Sequence, residues 1–233
     1  MGAGLFVTGT DTGVGKTMVA RALLHCARRR GLRPVPFKPV ETGCDPEPED
    51  ARALWEAAGQ PIPLAAVCPF ALRMPAAPLL AAQEQGIAIS VDDLVRRATH
   101  AAAGGDFLLV EGAGGLLVPY APGATAADLA ARLALPILIV ARTALGTVNH
   151  TALTVREAAR AGLEIAGLIL SRATTDAGPQ ERGNDALIAA TCGVTPLGTL
   201  PYLEDGHRRD IDALAAALTS SIGEQALARL LGT

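Results

Sequence analysis

The sequence predicts an α/β fold: a doubly wound, mostly parallel sheet flanked by helices, in a single domain spanning residues 1–233. Three observations carry this expectation. Short, continuous apolar runs alternate with helix-length segments along the chain. Half the residues are hydrophobic but only 3% are aromatic, so the core must be built mainly from Ala, Leu, Val and Ile, which suits helices packed on a sheet. A glycine-rich loop separates the first apolar run from the first helix, in "FVTGTDTGVGKTMVARALL" from Phe6 onward.

Taken in order, "LFVTG" (5–9) reads as a strand. Residues 16–30 follow as a helix, with Val19, Ala22, Leu23 and Cys26 on one face. Arg28-Arg29-Arg30 before Gly31 reads as a basic last turn with its C-cap, not as a nucleic-acid patch. "RPVPFKPV" (33–40) is a second extended segment, because its prolines exclude a helix interior. "DARALWEAAG" (50–59) is a short helix ended by Gly59. The proline-rich stretch 61–78 reads as a long structured loop, of a length that often carries function. Residues 90–104 form a helix with Ser90 as N-cap and Asp93 three positions on. "DFLLVEG" (106–112), "PILIVAR" (136–142), "IAGLILS" (165–171) and "TPLGTLP" (195–201) are apolar without alternation, the mark of strands covered on both faces. Helices at 125–134, 147–161 and 181–191 lie between them. In such a sheet, ligands bind beyond the carboxyl ends of the strands.

Composition narrows the function. The net charge is −3 and no long basic run exists, so no nucleic-acid partner is expected. Cys26, Cys44, Cys68 and Cys192 form no C-x-x-C pair, and no His lies at zinc-ligand spacing. They read as reduced thiols of a cytoplasmic protein. The N-terminus enters a strand at once, "MGAGLF" matches myristoylation poorly, and no apolar run reaches the roughly 18 residues of a membrane span. His25, His100, His150 and His207 are scattered, with no nucleophile beside them.

Five places carry candidate chemistry. Strand, glycine loop, then Lys16-Thr17 opening a helix is the context of a phosphate-binding loop. Five residues, not the usual four, separate Gly9 from Gly15, which puts Asp11 and Thr12 on the rim. Lys16 would reach the β- and γ-phosphates, and the Thr17 hydroxyl would bind magnesium. In "FKPVETG", Lys38 is either a surface lysine at a strand end or a second cation for a transferring phosphate, with Thr42 and Gly43 in the loop beyond. In "PEPEDARAL", Asp50 is the preferred metal carboxylate, with Asp45, Glu47 and Glu49 as competitors, or the acids simply favour a helix N-terminus. In "LLVEGAGGLLVP", Glu111 closes a buried strand, where a carboxylate is costly unless paired or on a metal. Gly112, Gly114 and Gly115 suit close approach to a ligand. In "ARTALGTVNHTAL", the helix start at Gly146 to Asn149 either carries an ordinary cap by Thr147 or receives an anion.

Together, "GTDTGVGKT", "KPVETG", "VEGAGGLLVP" and "LGTVNHTALT" resemble the signatures of the dethiobiotin synthetase family, in that order and at similar spacing. The five-residue gap is itself a mark of that family. The resemblance implies an ATP-dependent synthetase of the phosphate-loop NTPase superfamily, requiring Mg2+. It would close 7,8-diaminononanoate and CO2 into dethiobiotin through a carbamate and a carbamic-phosphoric mixed anhydride. It implies catalytic roles for Lys16, Lys38, Thr12 and Thr42. Nucleotide contacts are implied for Thr12, Gly13, Val14, Gly15, Lys16, Thr17, Met18, Glu111, Ser171, Pro201 and Leu203, and metal contacts for Thr17, Asp50 and Glu111. The diamine would meet Lys38, Thr42 and Gly114. In a homodimer, its carboxylate would meet Leu145, Gly146, Thr147, Val148 and Asn149 of the second subunit. Where some members carry Asn-Asp and read adenine with the Asn, this chain has Ser171-Arg172, so a weaker preference for ATP over other nucleoside triphosphates is expected.

Two other classes fit less well. Cobyrinate amidase relatives carry a glutaminase domain, for which 233 residues leave no room. Partitioning ATPases need a signature lysine that would fall at Asp11.

Overall fold

A computed structural model of the chain describes residues 3–172, 181–204, 206 and 209–233; His207 lies outside them. Ten strands and ten helices are described. In chain order they are β1 (Ala3–Gly9), α1 (Lys16–Arg29), β2 (Pro34–Phe37), β3 (Val40–Thr42), α2 (Glu49–Ala57), α3 (Leu64–Val67), β4 (Phe70–Leu72), α4 (Pro78–Glu84), α5 (Val91–Ala102) and β5 (Phe107–Gly115). There follow β6 (Pro119–Ala121), β7 (Ala124–Thr125), α6 (Ala126–Leu133), β8 (Ile137–Arg142), α7 (Thr147–Arg160), β9 (Ile165–Ser171), α8 (Asn184–Cys192), β10 (Gly198–Leu200), α9 (Ile211–Ile222) and α10 (Glu224–Leu231).

The main sheet has six strands in the order β10-β9-β8-β1-β5-β2, and every pairing in it is parallel. Apolar layers cover both faces, which is why its strands read as unbroken apolar runs. Phe6 of β1 packs with α5, α6 and α7, through Leu94, Leu129 and Val155. Its neighbours Leu5 and Val7 point to the other layer, with α1, α9 and α10, through Leu23, Leu214 and Leu227. Burying one such leucine stabilises the fold by about 1.5–3 kcal/mol. The first helix follows its sequence pattern: Val19, Ala22, Leu23 and Cys26 are buried, and Gly31 turns the chain with its N–H on Arg28 O.

Several elements depart from the sequence expectations. The extended segment 33–40 splits at Lys38-Pro39: β2 stays in the main sheet, and β3 leaves to pair with β4. The stretch 61–78 is therefore not one loop, because α3 and β4 lie within it. That pairing is long-range and invisible to local pattern. The strand through Glu111 does not stop there but runs to Gly115, with the glycine-rich stretch still extended beside β1. The last strand shrinks to Gly198–Leu200. Helices α4, α9 and α10 were unforeseen; α10 closes a core layer through Leu227 and Leu231.

Candidate functional site

A cleft of about 990 Å³ opens beyond the carboxyl ends of β1, β5, β8 and β9. The phosphate loop forms one wall. Gly13 and Gly15 both hold positive φ, 72° and 96°, which turns the loop around the cleft. At Gly15 a side chain is also excluded by space, because a Cβ there would lie 2.4 Å from Ser171 Oγ. Gly9 is needed for close approach: a Cβ would lie 2.7 Å from Asp11 O and 3.0 Å from Lys16 Nζ. α1 has no side-chain cap and no acid in its first turn, so its leading N–H groups are left for an anion.

Two lysines and two carboxylates meet at the cleft floor. Lys16 is buried and donates to Asp11 O at 3.0 Å. Burial lowers its pKa, against the opposing pull of Glu111. Lys38, at the β2–β3 break, donates to Glu111 Oε1 at 2.5 Å and Asp50 Oδ2 at 3.0 Å. Burial alone would lower its pKa, but the two carboxylates outweigh it and raise the value. Asp50 is held below the usual carboxylate value: burial pushes it up, and Lys38, Thr17 and Lys16 overcome this. Thr17 Oγ1 donates to Glu111 Oε1 at 2.9 Å. Glu111 is fully buried, and its Oε2 has no hydrogen-bond partner among the described residues.

That orphaned carboxylate oxygen is the feature that fits a divalent cation. Among the described residues no three His, Cys, Asp or Glu side chains gather as metal ligands, so a cation here would rest on Glu111, Asp50 and the Thr17 hydroxyl. The structure brings Asp50 to Lys38, whereas Glu47 is ion-paired with Arg52.

Thr12, Val14, Met18, Thr42, Gly114, Ser171, Pro201 and Leu203 also line the cleft. Gly114 stands beside Thr12, a Cβ there lying 3.6 Å from Thr12 Oγ1. Ser171 is buried under the loop, and Arg172 donates from Nε to Glu181 Oε2 at 3.3 Å. The segment Leu145–Asn149 does not line this cleft. Leu145 is 84% exposed. The helix there is not capped by Thr147: Gly146 is the N-cap, with φ 92°, and no side chain caps it. Thr147 is buried instead, with its hydroxyl unpaired among the described residues. His25, which does not line the cleft, pairs with Asp212 at 2.9 Å.

Two residues lining the cleft, and one bonded to its lining, were not foreseen. Glu41 is buried, and its carboxylate accepts the Asp50 N–H at 2.9 Å and the Ala51 N–H at 2.8 Å. Arg142, the last residue of β8, forms an ion pair with Asp11 on the loop rim. Tyr120 is fully buried, its pKa pushed up to about 12 by burial, and its hydroxyl oxygen accepts the Ala113 N–H at 2.6 Å. Arg142 meets Asp11 across 131 residues of sequence, whereas Glu41 and Tyr120 reach partners 7 to 10 residues away through folding of the chain back on itself; only "VETG", with an acid beside Thr42, held a local sign of one of them.

Residues 3–209 match the family model described as an AAA domain. The chain is 49% identical to the ATP-dependent dethiobiotin synthetase BioD of Anaeromyxobacter dehalogenans (strain 2CP-C), over 94% of this chain and 98% of that protein. It is 40% identical to the protein of the same name from Bacillus thuringiensis (strain Al Hakam), over 87% of this chain and 84% of that one. Among solved structures, a ParA family ATPase from Chlorobium tepidum TLS superposes with a TM-score of 0.56 at 13% identity, covering 98% of this chain and 97% of that chain, a likeness of fold. Among the described residues no helix is long and apolar enough to cross a membrane.

Proposed function

The chain belongs to the ATP-dependent dethiobiotin synthetases, ligases of biotin synthesis, and from that premise we propose that it converts 7,8-diaminononanoate, CO2 and ATP to dethiobiotin, ADP and phosphate in the cleft beyond β1 and β5. The observation that carries the reading is the cluster of Lys16, Lys38, Thr17, Asp50 and Glu111 against the phosphate loop.

The chemistry asks for what this cluster offers. One substrate amine takes up CO2 and loses a proton, giving a carbamate. A carbamate oxygen attacks the γ-phosphorus, and the bond to the ADP oxygen breaks. The second amine then attacks the carbamoyl carbon of the mixed anhydride and expels phosphate. Both reactants of the phosphoryl transfer are anionic and the nucleophile is weak, so positioning and positive charge must do most of the work. The loop N–H groups and Lys16 hold the β- and γ-phosphates. Lys38 stands where carbamate and γ-phosphate meet and neutralises the charge that builds there. Thr12, Thr42 and Gly114 line the side from which the carbamate arrives. Thr17, Asp50 and Glu111 would hold Mg2+, which supplies further positive charge against the triphosphate. The base would lie by Met18, Ser171, Pro201 and Leu203. No histidine is required as acid or base.

In a cytoplasmic homodimer, the substrate carboxylate meets the start of α7 from the second subunit. The exposed Leu145 and a helix N-terminus free of side-chain caps support this. The test is incubation with diaminononanoate, bicarbonate and Mg-ATP, with mass detection of dethiobiotin and assay of ADP. Ring-closed product with stoichiometric ADP is expected; ADP without product leaves an ATPase and removes the synthetase reading.

A further inference from the structure

We infer that Glu41 is a positioning residue for the metal carboxylate: it fixes Asp50 by holding the N-terminus of α2. The inference rests on the reading of Asp50 as a metal ligand.

α2 begins poorly on its own. Its N-cap is Pro48, which has no side-chain acceptor, and no local side chain caps the helix. A helix start leaves its first N–H groups without intrahelical partners, and such groups need acceptors. Here the acceptor comes from another element. Glu41, in the middle of β3, turns its carboxylate onto the helix end, Oε1 to the Asp50 N–H at 2.9 Å and Oε2 to the Ala51 N–H at 2.8 Å. A carboxylate at a helix N-terminus is favoured by the dipole as well as by the two charged hydrogen bonds. Glu41 is 8% exposed, so this pairing is shielded from solvent.

The geometry of the site depends on that clamp. Lys38 and Glu41 flank Pro39-Val40, and the chain between them carries both onto the same helix end. Lys38 holds the Asp50 side chain at 3.0 Å, while Glu41 holds the Asp50 backbone at 2.9 Å. Asp50 is thus held at both ends from one short segment. Glu111, on the main sheet, is joined to Asp50 through Lys38, and Thr17 also donates to Glu111 Oε1 at 2.9 Å. Release of the backbone hold lets the first turn of α2 fray and moves the Asp50 carboxylate relative to the fixed Glu111. Outer partners that orient metal ligands affect metal affinity strongly, typically by about 10–100-fold.

The test is Glu41→Gln, which keeps size but offers one acceptor where two are needed. Mn2+ and Mg2+ binding to the ADP complex is titrated by calorimetry, and ADP binding is measured separately in EDTA. The metal should bind about tenfold more weakly, with metal-free ADP affinity unchanged within about twofold. Asp50→Asn and the double variant complete a cycle: with Asp50 already lost, Glu41→Gln should add nothing. An unchanged metal affinity in Glu41→Gln, or an additive loss in the double variant, overturns the inference. A lowered Tm with unchanged metal affinity also overturns it, because Glu41 would then be a helix cap and no more. If Asp50→Asn itself leaves metal binding intact, the reading of Asp50 has failed instead. Should Glu41→Gln fold poorly, Glu41→Asp, which keeps the charge but shortens the reach, gives the same readout.

Discussion

Lys38 Nζ stands 2.5 Å from Glu111 Oε1, and both side chains are cut off from solvent, with 4% and 0% exposure. The Lys38 ammonium therefore makes the direct ion pair that compensates a fully buried carboxylate at the end of the central strands. Removing it leaves a buried charge uncompensated. Lys38→Met should lower stability by roughly 3 kcal/mol, measured by denaturant unfolding without Mg2+. It should also reduce kcat by about 100-fold or more while nucleotide affinity changes far less, because a cation used in the transition state shows in kcat. Equal losses in kcat and nucleotide affinity would contradict the transition-state role.

Asp50 is one carboxylate that contributes to the acid limb of stability. Its folded pKa lies below the ordinary 3.8. The stability from its ionised form is therefore complete above the unfolded value and is lost as pH falls through the folded one. The Tm difference between wild type and Asp50→Asn should be constant above about pH 5 and should shrink below 3.8. A difference that persists unchanged at pH 2 would show that Asp50 contributes no ionisation-linked stability.

Gly15 and Ser171 share one space, and this links the loop to the end of β9. Gly15→Ala puts a methyl 2.4 Å from Ser171 Oγ, at φ 96°. The left-handed backbone alone costs about 1–2 kcal/mol, and nucleotide binding should fall below detection by calorimetry. With a hydroxyl at position 171 instead of an amide, base selectivity should be modest. We expect kcat/KM for ATP, GTP and CTP to lie within about a hundredfold; strict dependence on ATP would refute that expectation.

Leu145, just before α7, and Leu153, within it, are 84% and 56% exposed, on the helix proposed to meet a second subunit. Leu145→Asp should shift the mass seen by light scattering from dimer toward monomer. It should also raise KM for the diamine more than KM for ATP. A dimer of unchanged stability with an unchanged diamine KM would remove the shared site.

Much of this protein was legible in order along the chain. Alternation of apolar runs and helices sets the parallel sheet, because strands buried on both faces need no polar side. The loop from Gly9 to Thr17 declares itself by composition, since only glycine tolerates positive φ and close approach together. Glu111 stood out because a carboxylate at the end of "FLLV" has to be compensated. What compensates it was a matter for the tertiary structure. Lys38 is 73 residues away in sequence and reads locally as an ordinary strand-end lysine. The choice of Asp50 over Glu47 was equally open, because both lie at the start of the same helix and local pattern does not say which one turns inward. The clamp of Glu41 on α2 and the pairing of β3 with β4 were likewise hidden. Sequence determines which segments must be buried, through the hydrophobic effect and backbone sterics, both of which act locally. Which charges meet depends on distances across the fold, and those exist only once the sheet has closed and water has been excluded.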